Sequence, residues 1–165
     1  MPILENGQRV DVISNILGVG NRLNISQLFE CEINFLSNCI SNLMKSTDDI
    51  KLREYYLFSY LKSIVKTDYG DRVEKWYNTL DEKDKLEFLD DCMNNHIYVE
   101  EPPMYGNTSL YDIEEVYDRF GFKPLKCYVE KFGKLKPMMR KVVVGDVYFL
   151  KLKHHLYILV VYKAS

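Results

Sequence analysis

Apolar and polar positions alternate over "RVDVIS" at 9–14, which is the period of a short half-buried strand. The glycine-bearing stretch "NILGVGNR" breaks that alternation and reads as a loop. From Asn24 the period changes. Ile25, Leu28, Phe29, Ile33, Leu36, Ile40, Leu43 and Met44 fall on one face of a long helix, with Asn24 placed to cap its first turn. A second helix is predicted from near Thr47 to just before Gly70. Asp48 and Asp49 suit its positive end, and Ile50, Leu57, Leu61, Ile64 and Val65 face inward. Helices over 71–79 and 82–95 follow, the latter capped by Asp81 with Leu86, Leu89, Cys92 and Met93 inward.

"EEPPMYGN" at 100–107 must be a loop, because paired prolines do not sit inside a helix or a central strand. "SLYDIEEVYDRFG" then predicts a compact helix from the Ser109 cap to Gly121, with Ile113, Val116 and Phe120 inward. Beyond it the pattern is β. "KCYVEKFGKLK" reads as a hairpin turning near Gly133, and "KVVVGDVYFLKLKHH" as a strand. The fold class is therefore α+β in a single segment. Residues 1–23 and 126–165 supply the β part, and 24–125 form a mainly helical insertion. The strands are few, and the apolar runs "VVVGDVYFL" and "LYILVVY" need their faces and edges covered. The expected β part is thus an incomplete barrel that further polypeptide completes.

Composition narrows the class. With 47% apolar residues in 165, the chain is globular and about one domain long. "LYILVVY" is too short to cross a bilayer, and "MPILENGQRVD" lacks the features of a secretory signal. Cys31, Cys39, Cys92 and Cys127 form no CxxC pair, and His96, His154 and His155 complete no zinc pattern. Reduced thiols in a cytoplasmic compartment are the expectation. The net charge of −2 hides an asymmetry: 12 Lys/Arg against 22 Asp/Glu up to residue 122, then ten against two. A basic last quarter suits a polyanionic partner, and equally a lysine-protected sheet edge. Charge alone leaves both open.

The stretch "GVGNRLNISQ" at 18–27 holds the clearest candidate chemistry. It places Arg22 between a glycine pair and a helix start, where a guanidinium fork and a helix N-terminus both favour an anion. Without context, a lone loop arginine is a surface residue or a clamp on backbone carbonyls. Gly18 and Gly20 then serve only the turn, Asn24 only the cap, Lys151 and Lys153 only an edge strand.

At this level of detail the run "MPILENGQRVDVISNILGVGNRLNISQ" resembles a segment near the active centre of the second-largest (beta) subunit of multi-subunit DNA-directed RNA polymerases. In that family a strand leads through an LGV turn to an arginine, an asparagine and a long helix. "VVVGDVYFLKLKHH" resembles the family's strand ending in lysine and histidine, and "PPMYGNTSLYDIEEVYDRFG" and "CYVEKFGKLKP" match in the right order between them. The resemblance implies that Arg22 and His154 approach the phosphates of the incoming nucleoside triphosphate, with Asn24 and Lys151 as secondary candidates. Fixed cations there stabilise the charge that builds on departing pyrophosphate.

The departures carry weight too. Where the family continues after the histidine with an acidic pair, a lysine and an arginine-serine, this chain reads "HLYILVVYKAS". The aspartates that hold catalytic Mg2+ belong to the largest (beta-prime) subunit in this family, so no metal ligand and no catalytic residue is expected here. The implied partners are the rest of the beta subunit, the largest subunit, template DNA, nascent RNA and the triphosphate, with no membrane. A split phage-type polymerase is one setting, and no activity is expected of the chain alone. The competing reading is a non-catalytic remnant that binds protein or nucleic acid.

Overall fold

In a computed structural model, residues 1–21, 25–65, 68–99 and 108–149 are described. Among them are six helices: α1 (Ile16–Asn21), α2 (Ser26–Lys45), α3 (Ile50–Ile64), α4 (Tyr69–Asn78), α5 (Glu82–Asn94) and α6 (Leu110–Phe120). Three strands, β1 (Ile3–Leu4), β2 (Cys127–Lys131) and β3 (Lys134–Pro137), make an antiparallel sheet in the order β1-β2-β3. The architecture is α+β, and the sheet stays open among the described residues.

The periodicity that predicts the helices also explains their packing. Ile33, Leu36, Ile40 and Met44 of α2 are buried against Leu57, Tyr60, Leu61 and Ile64 of α3 and Leu89, Cys92 and Met93 of α5. Polar groups inside this core are all engaged. The Tyr60 hydroxyl donates to the carbonyl of Ile33 at 3.1 Å and lies 2.8 Å from Ser37 Oγ, while Ser41 donates to the carbonyl of Cys92 at 2.9 Å. Such pairing keeps buried polar atoms from destabilising the interior. Arg53 ties the end of α2 to α3, its Nε donating to the carbonyls of Thr47 at 2.8 Å and Met44 at 3.2 Å.

Local signals set several boundaries. Asp49 caps α3 by accepting from the Lys51 amide at 3.0 Å. Ser109 and Asp112 form a reciprocal capping box at the start of α6, and Gly121 ends that helix at φ 69, a conformation glycine adopts without steric cost. The β2–β3 turn has positive φ at both Phe132 and Gly133, as a two-residue type I′ hairpin requires. Asp81 holds the cap position of α5 without a side-chain cap bond.

Four expectations need correction. The strand at 9–14 does not form: the first strand is Ile3–Leu4, and only Arg9 bridges back to Ile3. Pairing with β2 supplies partners for residues 3–4, and Val10 donates to the carbonyl of Pro2 at 3.0 Å, whereas 11–15 join no strand among the described residues. The glycine stretch expected as a loop is helical over Ile16–Asn21, two glycines notwithstanding. Ile25 holds the cap position of α2, its side chain having no acceptor, and the expected cap Asn24 lies outside the described residues. Finally, "VVVGDVYF" is not a strand. Val142 bridges Leu125, and the chain then leaves the sheet and lies against α2. Ile25 and Ile50, expected inward, are exposed because each sits at or just before the start of its helix, beyond the packed part of its face; Leu86, at the fifth position of α5, is exposed as well.

Candidate functional site

Residues 143–149 build a seam along the first half of α2. The Cys31 thiol donates to the carbonyl of Gly145 at 3.9 Å, and Asn34 Nδ2 donates to the carbonyl of Asp146 at 2.6 Å. One turn further along, Asn38 Nδ2 donates to the Asp146 carboxylate at 3.1 Å. The Tyr148 amide donates to Glu30 Oε1 at 2.9 Å. Asp146 is thus matched to residues 34 and 38, and Tyr148 to residue 30. The segment runs antiparallel to the helix and heads for its N-terminal end.

A glycine makes this approach possible. A β-carbon at position 145 would overlap the Cys31 carbonyl oxygen and lie 3.0 Å from both the Cys31 carbonyl carbon and the Phe35 amide nitrogen. An isolated glycine in a strand-like pattern is a known sign of close backbone approach. That signal in "VVVGDVY" is the one from which the seam was legible; Glu30, Cys31, Asn34 and Asn38 carry no such mark.

The seam's acidic groups are occupied in holding it. Glu30 accepts from the Tyr148 amide, Asp146 from Asn38, and Glu32 from the Tyr117 hydroxyl at 2.7 Å. Burial raises the pKa of Tyr117, and its bond to the Glu32 carboxylate raises it further. Burial likewise pushes the Cys31 thiol up, helped by the nearby carboxylates of Glu32, Asp146 and Glu30. A thiol held protonated in this way is a packing group and not a nucleophile. Among the described residues, no group of three or more His, Cys, Asp or Glu side chains converges to hold a metal ion.

Of the residues singled out from the sequence, Arg22, Asn24, Lys151 and His154 all lie outside the described residues. Their described neighbours are informative. Arg22 and Asn24 belong to the three-residue connection between Asn21, the last residue of α1, and Ile25, the cap of α2. Lys151 and His154 follow directly on the segment that the seam carries toward that end of the helix.

A separate concavity of about 430 Å³ lies between α3, α4 and α6 and shares no residue with the seam. Its cations Lys62 and Arg119 are paired: Lys62 with Glu74 at 2.6 Å and with Asp71 outside the lining at 3.0 Å, and Arg119 with Glu115, also outside it, at 2.7 Å. Those carboxylates raise the pKa of Lys62.

Over residues 1–157 the chain matches the family described as RNA polymerase Rpb2, domain 6. It belongs to that family. The matched region includes all four residues singled out above. Within curated proteins, this member of the Rpb2 domain 6 family is 29% identical over 158 residues to the DNA-directed RNA polymerase subunit beta of Geobacter sulfurreducens. It is 28% identical over 185 residues to that of Mycoplasma genitalium and 30% identical over 159 residues to that of Granulibacter bethesdensis. Each similarity covers 93% of this chain. The chain spans only 11%, 13% and 11% of those relatives' lengths, respectively. Among the described residues, no helix is long and apolar enough to cross a membrane.

Proposed function

We propose that this Rpb2 domain 6 chain is a component of a DNA-directed RNA polymerase, in which Arg22 and His154 contact the phosphates of the incoming nucleoside triphosphate. The observation that carries the reading is the seam. It directs the segment preceding His154 toward the end of α2 that the segment containing Arg22 enters. Two sequence motifs separated by a long helical excursion are thereby led toward one end of one helix. Extended chain covers about 3.3 Å per residue, so the six steps from Tyr148 to His154 give ample reach.

The chemistry suits the role. A guanidinium presents parallel N–H donors to phosphate oxygens and is charged at every relevant pH. An imidazole adds a donor whose charge responds to conditions near neutrality. The N-terminus of a 20-residue helix whose cap is isoleucine adds favourable potential for an anion. Asn24 and Lys151 stand close by in sequence as secondary contacts. Catalytic Mg2+ is assigned to the largest subunit. The partners proposed are that subunit, the remaining beta-subunit portion, template DNA and nascent RNA. The isolated chain is inactive in this reading, because it supplies phosphate contacts and no means of activating the attacking hydroxyl.

The test is a polymerase assembled with this chain and carrying Arg22→Ala or His154→Ala. Losing one fixed donor to developing charge costs about 2.7–4 kcal/mol, a fall of roughly a hundredfold to a thousandfold in nucleotide addition. Unchanged single-nucleotide addition by both variants would sink the assignment and leave the non-catalytic binding reading in its place.

A further inference from the structure

The β2–β3 hairpin stands clear of the helical body. Every residue from Glu130 to Lys141 is exposed. The register places Lys131 directly opposite Lys134 and Lys136 opposite Val129. Directly opposed residues share a face, and alternation puts both pairs on the same one, so three ammonium groups crowd one side of a short ladder. Like charges placed opposite each other repel. Among the described residues no carboxylate pairs with any of the three. Glu130, the sole acidic residue between Lys123 and Lys141, is on the other face across from Leu135. Seven Lys and Arg residues occupy that same interval.

A second observation sits at the tip. Phe132 occupies the left-handed region at φ 53, and its side chain is 102% exposed. A bulky residue is disfavoured in that conformation, and asparagine or glycine would fill the turn without strain. Among the described residues no packing covers the exposed ring. The turn needs positive φ at this position but has no use for an exposed aromatic ring, and that choice of residue points to a contact made with something else.

We propose that this hairpin is a nucleic-acid contact: Lys131, Lys134 and Lys136 hold phosphates of one strand, and Phe132 packs on an exposed base. A polyanion relieves the repulsion across the ladder. Lys134 and Lys136 stand about 6.8 Å apart along the strand, comparable with the spacing of neighbouring phosphates. An acidic protein surface would also answer the lysines, but it offers a flat π-face to Phe132 only where an aromatic side chain stands beside its carboxylates, whereas in a nucleic acid strand every phosphate has a base next to it. The hairpin's charge and exposure are independent of Arg22 and His154, so this inference stands or falls separately from the triphosphate contact.

The experiment titrates the full chain against a fluorescently labelled single-stranded oligonucleotide over a series of salt concentrations. Three neutralised phosphates set a contribution of about 2 to the slope of log K against log salt. The variant Lys131→Gln/Lys134→Gln/Lys136→Gln is expected to lose that much slope, and Phe132→Ala to bind about tenfold more weakly at every salt concentration. Both substitutions are at exposed positions, and Lys131→Gln alone should already remove about 0.7 of slope. An unchanged slope in the triple variant overturns the proposal. So does displacement of the oligonucleotide by polyglutamate as readily as by unlabelled oligonucleotide, which would assign the hairpin to an acidic protein surface.

Discussion

Gly145 and Cys31 meet backbone to backbone, leaving no room for a β-carbon between the seam and α2. The atoms on the α2 side belong to the helix main chain and have little freedom to yield. Gly145→Ala is therefore expected to destabilise the protein by about 1–3 kcal/mol, as overpacking does. The displaced segment should also release the Tyr148 amide from Glu30. A lowered melting temperature with faster hydrogen exchange at Tyr148 is the expected pair of results, and wild-type exchange at that amide would count against the seam.

Tyr60 is wholly buried, and its hydroxyl joins Ser37 to the carbonyl of Ile33 between α2 and α3. Tyr60→Phe takes one partner from the carbonyl of Ile33 and leaves Ser37 Oγ with only its long bond to the carbonyl of Ile97 at 3.5 Å, at a cost of about 1–3 kcal/mol in urea unfolding. Adding Ser37→Ala removes the hydroxyl that Tyr60→Phe has left weakly bonded, so the double variant should lose less than the sum of the two single losses. Strict additivity would refute the coupling.

Alkali should loosen the core through its thiols. Burial pushes Cys39 up to about 11 from 9.0, and burial with the neighbouring Asp91 carboxylate pushes Cys92 up to about 12. Both pKa values are raised by folding, so the unfolded chain ionises first as pH rises. The stability these thiols contribute is complete below pH 9 and is lost between pH 9 and about 12. Melting temperature should fall across that window, and Cys92→Ala should make the fall shallower. An identical pH profile in wild type and variant would rule the thiol out as the cause.

Exposed apolar side chains gather in stretches that the fold leaves uncovered. Leu17 lies in α1 with Ile13 and Ile25 on either side of it, and Tyr148 and Phe149 extend from the seam. The outer edge of β3 is unpaired among the described residues. On its own the chain should self-associate and bind a hydrophobic dye, because unpaired edges and contiguous apolar patches recruit partners. Sedimentation as a single monomeric species without dye binding would contradict this.

What the sequence discloses depends on how local the cause is. Helix α6 is legible from end to end because Ser109, Asp112 and Gly121 act within a turn of its ends. The β2–β3 hairpin is legible because its turn chemistry is local too. The core face of α2 follows from spacing alone. By contrast, the path of residues 143–149 is decided by a helix more than a hundred residues earlier, and period-2 apolar residues read as a strand whether a sheet or a helix receives them. The short first strand is hidden for the same reason, since only distant β2 gives Ile3 and Leu4 a ladder. Helix α1 is missed because two glycines argue against a helix by about 1 kcal/mol each, and context outweighs them. The candidate residues Arg22 and His154 rest on a family resemblance and lie outside the described residues, and the seam beside them is a feature that no single motif encodes.

Because Ile3 pairs with Tyr128, the sheet joins the two ends of a very long stretch of chain. Closing a loop of that length carries a large entropic penalty before any contact compensates it, whereas α2, α3 and α4 meet their neighbours over short distances. The helical bundle should therefore form early, with the sheet added last. During synthesis the first strand waits, with only its local bridge to Arg9, until β2 has emerged from the ribosome.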